Sequence, residues 1–125
     1  MPVNIKVIHT RDFIKSTATG VLDFTASKQA ILEITSQIKQ PGEYEVLVDT
    51  REAKSVLSVT NIFELGKALA DQSSLRHSKI GLIAPMSDTD KAAFFETVAV
   101  NRGVNIRAFT DFEQAITWLV MKEVS

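Results

Sequence analysis

The residues best suited to chemistry fall in one polar run, Asp49-Thr50-Arg51-Glu52-Ala53-Lys54-Ser55-Val56-Leu57-Ser58. The run leaves a short apolar segment and enters a helical pattern. A helix N-terminus presents unpaired N–H groups and partial positive charge, which suits an anion. Arg51 and Lys54 can add to that field, and Asp49, Ser55 and Ser58 complete a candidate ligand- or partner-binding set. The same residues also fit a solvated loop whose Ser58 or Thr60 caps the helix, because such side chains are preferred caps. Gly66 and Gly81 fit neither a Walker loop nor a dinucleotide fingerprint.

Other chemistry is sparse. His9 and His77 lie in different elements, neither has an i,i+4 partner, and cysteine is absent. No metal site is expected, since ligands come in neighbouring groups with second-shell support. Neither histidine stands at the carboxyl end of a parallel strand, so a nucleophile–histidine–acid triad is not expected. Asp88-Thr89-Asp90 begins like a calcium loop but lacks the remainder, and helix capping accounts for it. These readings point to a protein without cofactor and without enzymatic activity. Phe94-Phe95-Glu96-Thr97-Val98-Ala99-Val100 is apolar on more than one helical face. It reads as a buried helix, or as a surface that meets a second subunit or an apolar ligand. Phe94, Phe95 and Val98 are the candidates for self-association as a homodimer. Trp118 reads as core.

The elements that must position these residues follow from periodicity. Val3 to His9 alternates as a strand, and Phe13 to Leu22 is a second, more polar strand. The short Thr10-Arg11-Asp12 link suggests an antiparallel hairpin. Ala26 to Lys39 carries Ile31, Ile34 and Ile38 at helical spacing, with Thr25 as N-cap and Pro41-Gly42 as stop. Tyr44 to Val48 is apolar almost throughout, the mark of a strand covered on both faces. A helix from about Val59 presents Ile62, Phe63, Gly66, Leu69 and Ala70 on one stripe, and Lys79 to Ala84 is a further buried strand. Ser87 with Asp90, and Thr110 with Glu113, are capping-box patterns opening the last two helices. Val104 to Phe109 is the strand between them, and Gly103 closes the third helix.

The predicted order is β-β-α-β-α-β-α-β-α. It implies an α/β fold in one domain, residues 1–125, with a mostly parallel five-stranded sheet, helices on both faces and an antiparallel edge strand. Ligands of such sheets bind outside the carboxyl ends of the strands. A chain of 125 residues suffices for one core. The formal charge of −1, from 14 basic and 15 acidic residues, offers no net field for nucleic acid. The N-terminus alternates rather than running apolar, and no apolar run nears the ~20 residues that span a bilayer, so no transmembrane segment and a cytoplasmic location are expected.

Three stretches stand out together: Val46-Leu47-Val48-Asp49, the Ala53-to-Ala70 loop and helix, and above all Phe94 through Gly103. With Phe109-Thr110-Asp111-Phe112-Glu113-Gln114-Ala115 and Trp118-Leu119, the chain resembles the SpoIIAA-like proteins, small bacterial relatives of the STAS domain with kinship to the CRAL-TRIO lipid-binding fold. The resemblance implies a regulatory or protein-interaction module, in some STAS domains switched by phosphorylation of the serine that opens the helix after the central strand. Ser58 stands near that position and is the candidate phosphorylation site. Leu57 replaces the preceding Asp of that motif, and Val59-Thr60 replaces its Ser-Gly. The CRAL-TRIO kinship implies instead a small apolar or amphipathic ligand held against the sheet. A roomy apolar pocket favours the ligand reading, and a filled interior with an exposed apolar helix face favours the interaction reading.

Overall fold

The computed structural model describes residues 4–10, 13–38, 44–75 and 77–121. The elements are β1 (Asn4–Thr10), β2 (Phe13–Leu22), α1 (Phe24–Ser36), β3 (Glu45–Ser55), α2 (Val59–Ala70), β4 (Lys79–Ile83), α3 (Thr89–Val100), β5 (Asn105–Phe109) and α4 (Phe112–Val120). Single 3₁₀ turns occupy Ser73–Leu75 and Met86–Asp88. The hairpin link at Arg11-Asp12 and the helix stop at Pro41-Gly42 lie outside the described residues.

Strands β2, β3, β4 and β5 are parallel and adjacent in chain order. Beside β2 runs β1, in antiparallel register from Asn4 opposite Thr19 to Thr10 opposite Phe13. Right-handed crossovers between strands laid down in sequence place every intervening helix on the same face. Residues of α1, α2 and α3 accordingly share one core with Ile14, Val46, Ile80 and Ile106 of the sheet. Helix α4 covers the other face, alone among the described helices, and there Leu119 and Ala115 pack on Leu47 and Ile83. Val46 and Leu47 are thus neighbours in sequence buried on opposite faces, which is why this strand reads as uninterruptedly apolar.

Two close approaches set the helix positions. A Cβ on Gly66 of α2 would come within 2.5 Å of Val98 Cγ1, so glycine is what lets α2 and α3 pack at this separation. Gly103, at φ +92°, turns the chain out of α3 and toward β5.

Several boundaries differ from the sequence expectation. The central strand does not end at Val48 but continues to Ser55, so the expected long polar loop shrinks to Val56–Ser58. Thr17 pairs with Asp49 while Thr19 pairs with Glu52, so β3 carries one extra residue there. A bulge of this kind reverses which alternate residues face inward. Val46 and Val48 pack toward α1–α3 before it, and Ala53 is buried after it, while Glu52 and Lys54 are exposed. That phase change, with only β2 flanking the strand beyond Asp49, hides the extension from a period-2 reading.

The caps shift as well. Asp23, not Thr25, caps α1, accepting a hydrogen bond from the Ala26 N–H at 2.8 Å. That helix ends at Ser36, short of Lys39. Ser87 lies inside the 3₁₀ turn, so α3 begins at Thr89 without a side-chain cap. Asp111, not Thr110, caps α4 through the Gln114 N–H. For α1 and α4 the stronger cap prevails, since aspartate outranks threonine at this position. On α2 the stripe is completed by Leu65, and Phe63 is exposed.

Candidate functional site: a cavity between the sheet and three helices

Between the sheet and α1–α3 lies a cavity of about 150 Å³. Its walls are chiefly apolar: Ile34 of α1, Leu65 and Leu69 of α2, Phe95 of α3, and Val46 and Ile80 of the sheet. The space exists because inward positions that could hold large side chains hold small ones. Ser16 and Ala18 of β2, Ala30 of α1, Ala84 after β4 and Ala92 of α3 all line it. At the carboxyl ends of the strands it is bordered by Ser55, Leu57, Asp88 and Lys91, all partly exposed. The Lys91 ammonium reaches across this end and donates to the Ser55 carbonyl at 3.4 Å.

Polar groups on the sheet floor are few. The Thr50 hydroxyl is engaged, donating to the Ile83 carbonyl at 2.9 Å. Ser16 is 1% exposed, and no side-chain hydrogen bond engages its hydroxyl among the described residues; it keeps contact with the cavity, whereas the unpaired hydroxyls of Ser74 and Ser78 are fully enclosed. An enclosed apolar cavity of about this volume in another protein takes up benzene or xenon; this one opens at the carboxyl ends of the strands.

The residues singled out from the sequence do not converge. Asp49 and Arg51 lie on the opposite, α4-covered side, joined by bonds of 3.0 and 2.8 Å between the guanidinium and both carboxylate oxygens. The Arg51 N–H also donates to Asp49 Oδ1 at 3.1 Å. Arg51 and Lys15 both stand over the Phe112 ring, at 5.7 and 5.3 Å from its centroid. Arg51 is therefore already engaged by a carboxylate. Lys54 is exposed on the far part of β3, opposite Val21. Ser55 reaches the cavity border, and its hydroxyl accepts from the Leu57 N–H at 3.4 Å. Ser58 forms a reciprocal capping box with Asn61, each side chain accepting the other's backbone N–H at 3.1 Å. Of the three candidate self-association residues, Val98 is buried against Gly66, Phe95 lines the cavity, and Phe94 is half-buried.

Sequence reasoning missed Ser16, Thr50, Asp88 and Lys91 as cavity residues. A signal for the void was present in Ser16-x-Ala18, small residues on alternate positions of a strand whose neighbour Ile14 is fully buried.

Burial alone would push the Asp49 carboxyl up. The side-chain and backbone hydrogen bonds from Arg51, with the charges of Arg51 and Lys15, outweigh it and hold the carboxyl below its ordinary value. A depressed acid contributes stability that is present above its unfolded pKa of about 3.9 and is lost as pH falls through the folded value. Acid titration of folding stability is therefore expected to fall less steeply below about pH 4 in Asp49→Asn than in the wild type. The effect is modest, because Arg51 is 42% exposed and such pairs contribute about 0–1 kcal/mol.

A second, more open cleft of about 380 Å³ lies at β5, where α3 and α4 diverge to opposite faces. Arg107, Phe109 and Gln114 border it, and Glu96 accepts the Ala108 N–H at 2.6 Å. Among the described residues no helix is long and apolar enough to cross a membrane, and no three acidic or histidine side chains gather as a metal site requires.

No protein-family model and no curated protein matches the chain. Solved structures do. An uncharacterised protein with a SpoIIAA-like fold from Shewanella loihica superposes with a TM-score of 0.58 at 17% identity, over 94% of this chain and 93% of that one. An anti-sigma factor antagonist from Mycobacterium paratuberculosis gives 0.59 at 13% identity, over 94% of each chain. The α/β fold with four parallel strands and four helices is thus SpoIIAA-like, as the sequence resemblance implies.

Proposed function

We propose that this chain binds a small, mostly apolar molecule in the cavity between the sheet and α1–α3. The observation that carries the reading is the void itself, about 150 Å³ among aliphatic walls and one aromatic ring. Close packing is the rule in protein interiors, and an unfilled space costs the contacts its lining atoms lose. A guest recovers them. Sequentially ordered parallel strands have no reversal point within the sheet to form a crevice, so the helix–sheet interior takes that place.

Benzene is the simplest probe. Titrated into isotope-labelled protein, it is expected to shift the amide signals of Ile34, Val46, Leu65 and Ile80 in a saturable manner. Signals of α4 should stay put. Shifts scattered over the surface, or none at millimolar benzene, would remove the reading.

A second reading, favoured by the antagonist among the structural neighbours, is a non-enzymatic regulatory module acting through protein contacts. It places the contact at the α2 entrance, where Val56 and Val59 are exposed beside Ser58, with Ser58 as the modified residue. Self-association on the Phe94 side of α3 belongs to the same reading. The two are compatible if the guest alters the surface that the partner meets.

A further inference from the structure

Resting on the cavity reading above, we infer that the guest carries a hydrogen-bonding group that docks on Ser16, deep on the sheet floor. The ligand class is a small apolar body bearing a single hydroxyl or carbonyl.

The argument begins with an anomaly of burial. Ser16 occupies an inward position of β2, between Ile14 and Ala18, and pairs in register with Val48 of β3. Its surroundings are apolar, it is 1% exposed, and it lines the cavity. Buried hydroxyls are ordinarily hydrogen-bonded, because leaving one unpaired forfeits its hydration. The strand of Ser16 is paired on both sides at this level, with Val7 of β1 and Val48 of β3. The other hydroxyl on the floor, Thr50, has its partner in the Ile83 carbonyl. Ser16 therefore stands as the unengaged directional contact on the sheet floor. Such a point orients a guest, whereas apolar walls only admit it.

The border supplies no competing anchor at that depth. Lys91 is held on the Ser55 carbonyl at the strand ends, and Asp88 lies with it in the same rim. Both belong to the entrance, whereas Ser16 lies on the floor opposite Val48 and hence in line with Leu82. A guest whose polar atom reaches Ser16 must enter polar end first or be short enough to lie along the floor. The volume supports the latter, a single ring or a chain of similar size.

The experiment is a thermodynamic cycle with benzene and phenol on the wild type and Ser16→Ala. Comparing ratios cancels the different hydration of the two probes. The benzene-to-phenol ratio of dissociation constants is expected to fall by roughly threefold to tenfold on removing the hydroxyl, the range of one neutral hydrogen bond. The melting temperature of empty Ser16→Ala is expected to equal or exceed that of the wild type, since an unpaired hydroxyl has been removed. An unchanged ratio overturns the inference while leaving the cavity reading intact, because both probes still bind. Binding of neither probe to the wild type overturns the cavity reading itself, and this inference with it. A clear drop in melting temperature overturns the inference as well, since the hydroxyl was then already satisfied.

Discussion

Truncating Leu47 to alanine is expected to lower folding stability by about 2–5 kcal/mol, the range for removing a fully buried leucine. Leu47 is 0% exposed and sits where α4 seats on the sheet, with Ile83, Ala115 and Leu119 around it. A Cβ placed on Gly81 would lie 3.4 Å from Leu119 and 3.6 Å from the Leu47 methyl, ordinary van der Waals distances, so both side chains pack directly over this glycine. Because α4 is the only helix on its face among the described residues, losing its main contact also loosens the cover of β3 and β4. Urea denaturation read by circular dichroism and by Trp118 fluorescence reports both, since Trp118 packs on the same cluster. A change below about 0.5 kcal/mol, typical of surface sites, would contradict this placement.

On the other face the sign is expected to reverse. Ala92→Leu adds three carbons to a buried position that lines the cavity. Burying each added methylene contributes about 0.8 kcal/mol where space exists. In a filled interior the same change costs about 1–3 kcal/mol through strain. With about 150 Å³ to receive the new side chain, a gain of roughly 1–2 kcal/mol is expected, reduced from the full transfer value by imperfect fit. Benzene affinity should drop at least about tenfold, because the added side chain occupies the guest's volume. Loss of stability together with undiminished benzene binding would mean that Ala92 packs elsewhere.

Much of the fold can be read from the chain. The order of strands and helices, the double-sided burial of Val46 and Leu47, the Ser58 cap and the Gly103 turn all follow from local patterns. What escapes is what depends on a third element. The length of β3 is hidden by a bulge whose existence requires β2 as partner. Arg51 reads as free for an anion until the strand geometry places it on Asp49 two residues away. Phe95 reads as interior or as interface, and only the assembled helix–sheet layer shows that it lines the cavity. The cavity is least legible of all, because alanines and serines are unremarkable in composition. Their meaning comes from Ser16, Ala18, Ala84 and Ala92 meeting in one place.

The central claim is that this interior is an accessible apolar cavity. A crystal structure determined under xenon pressure addresses it without knowledge of the natural guest, since xenon enters dry apolar voids of this size. The account predicts a xenon peak enclosed by Ile34, Leu65, Ile80 and Phe95. Side chains closing over that space, with no xenon between the sheet and α1–α3, would contradict it.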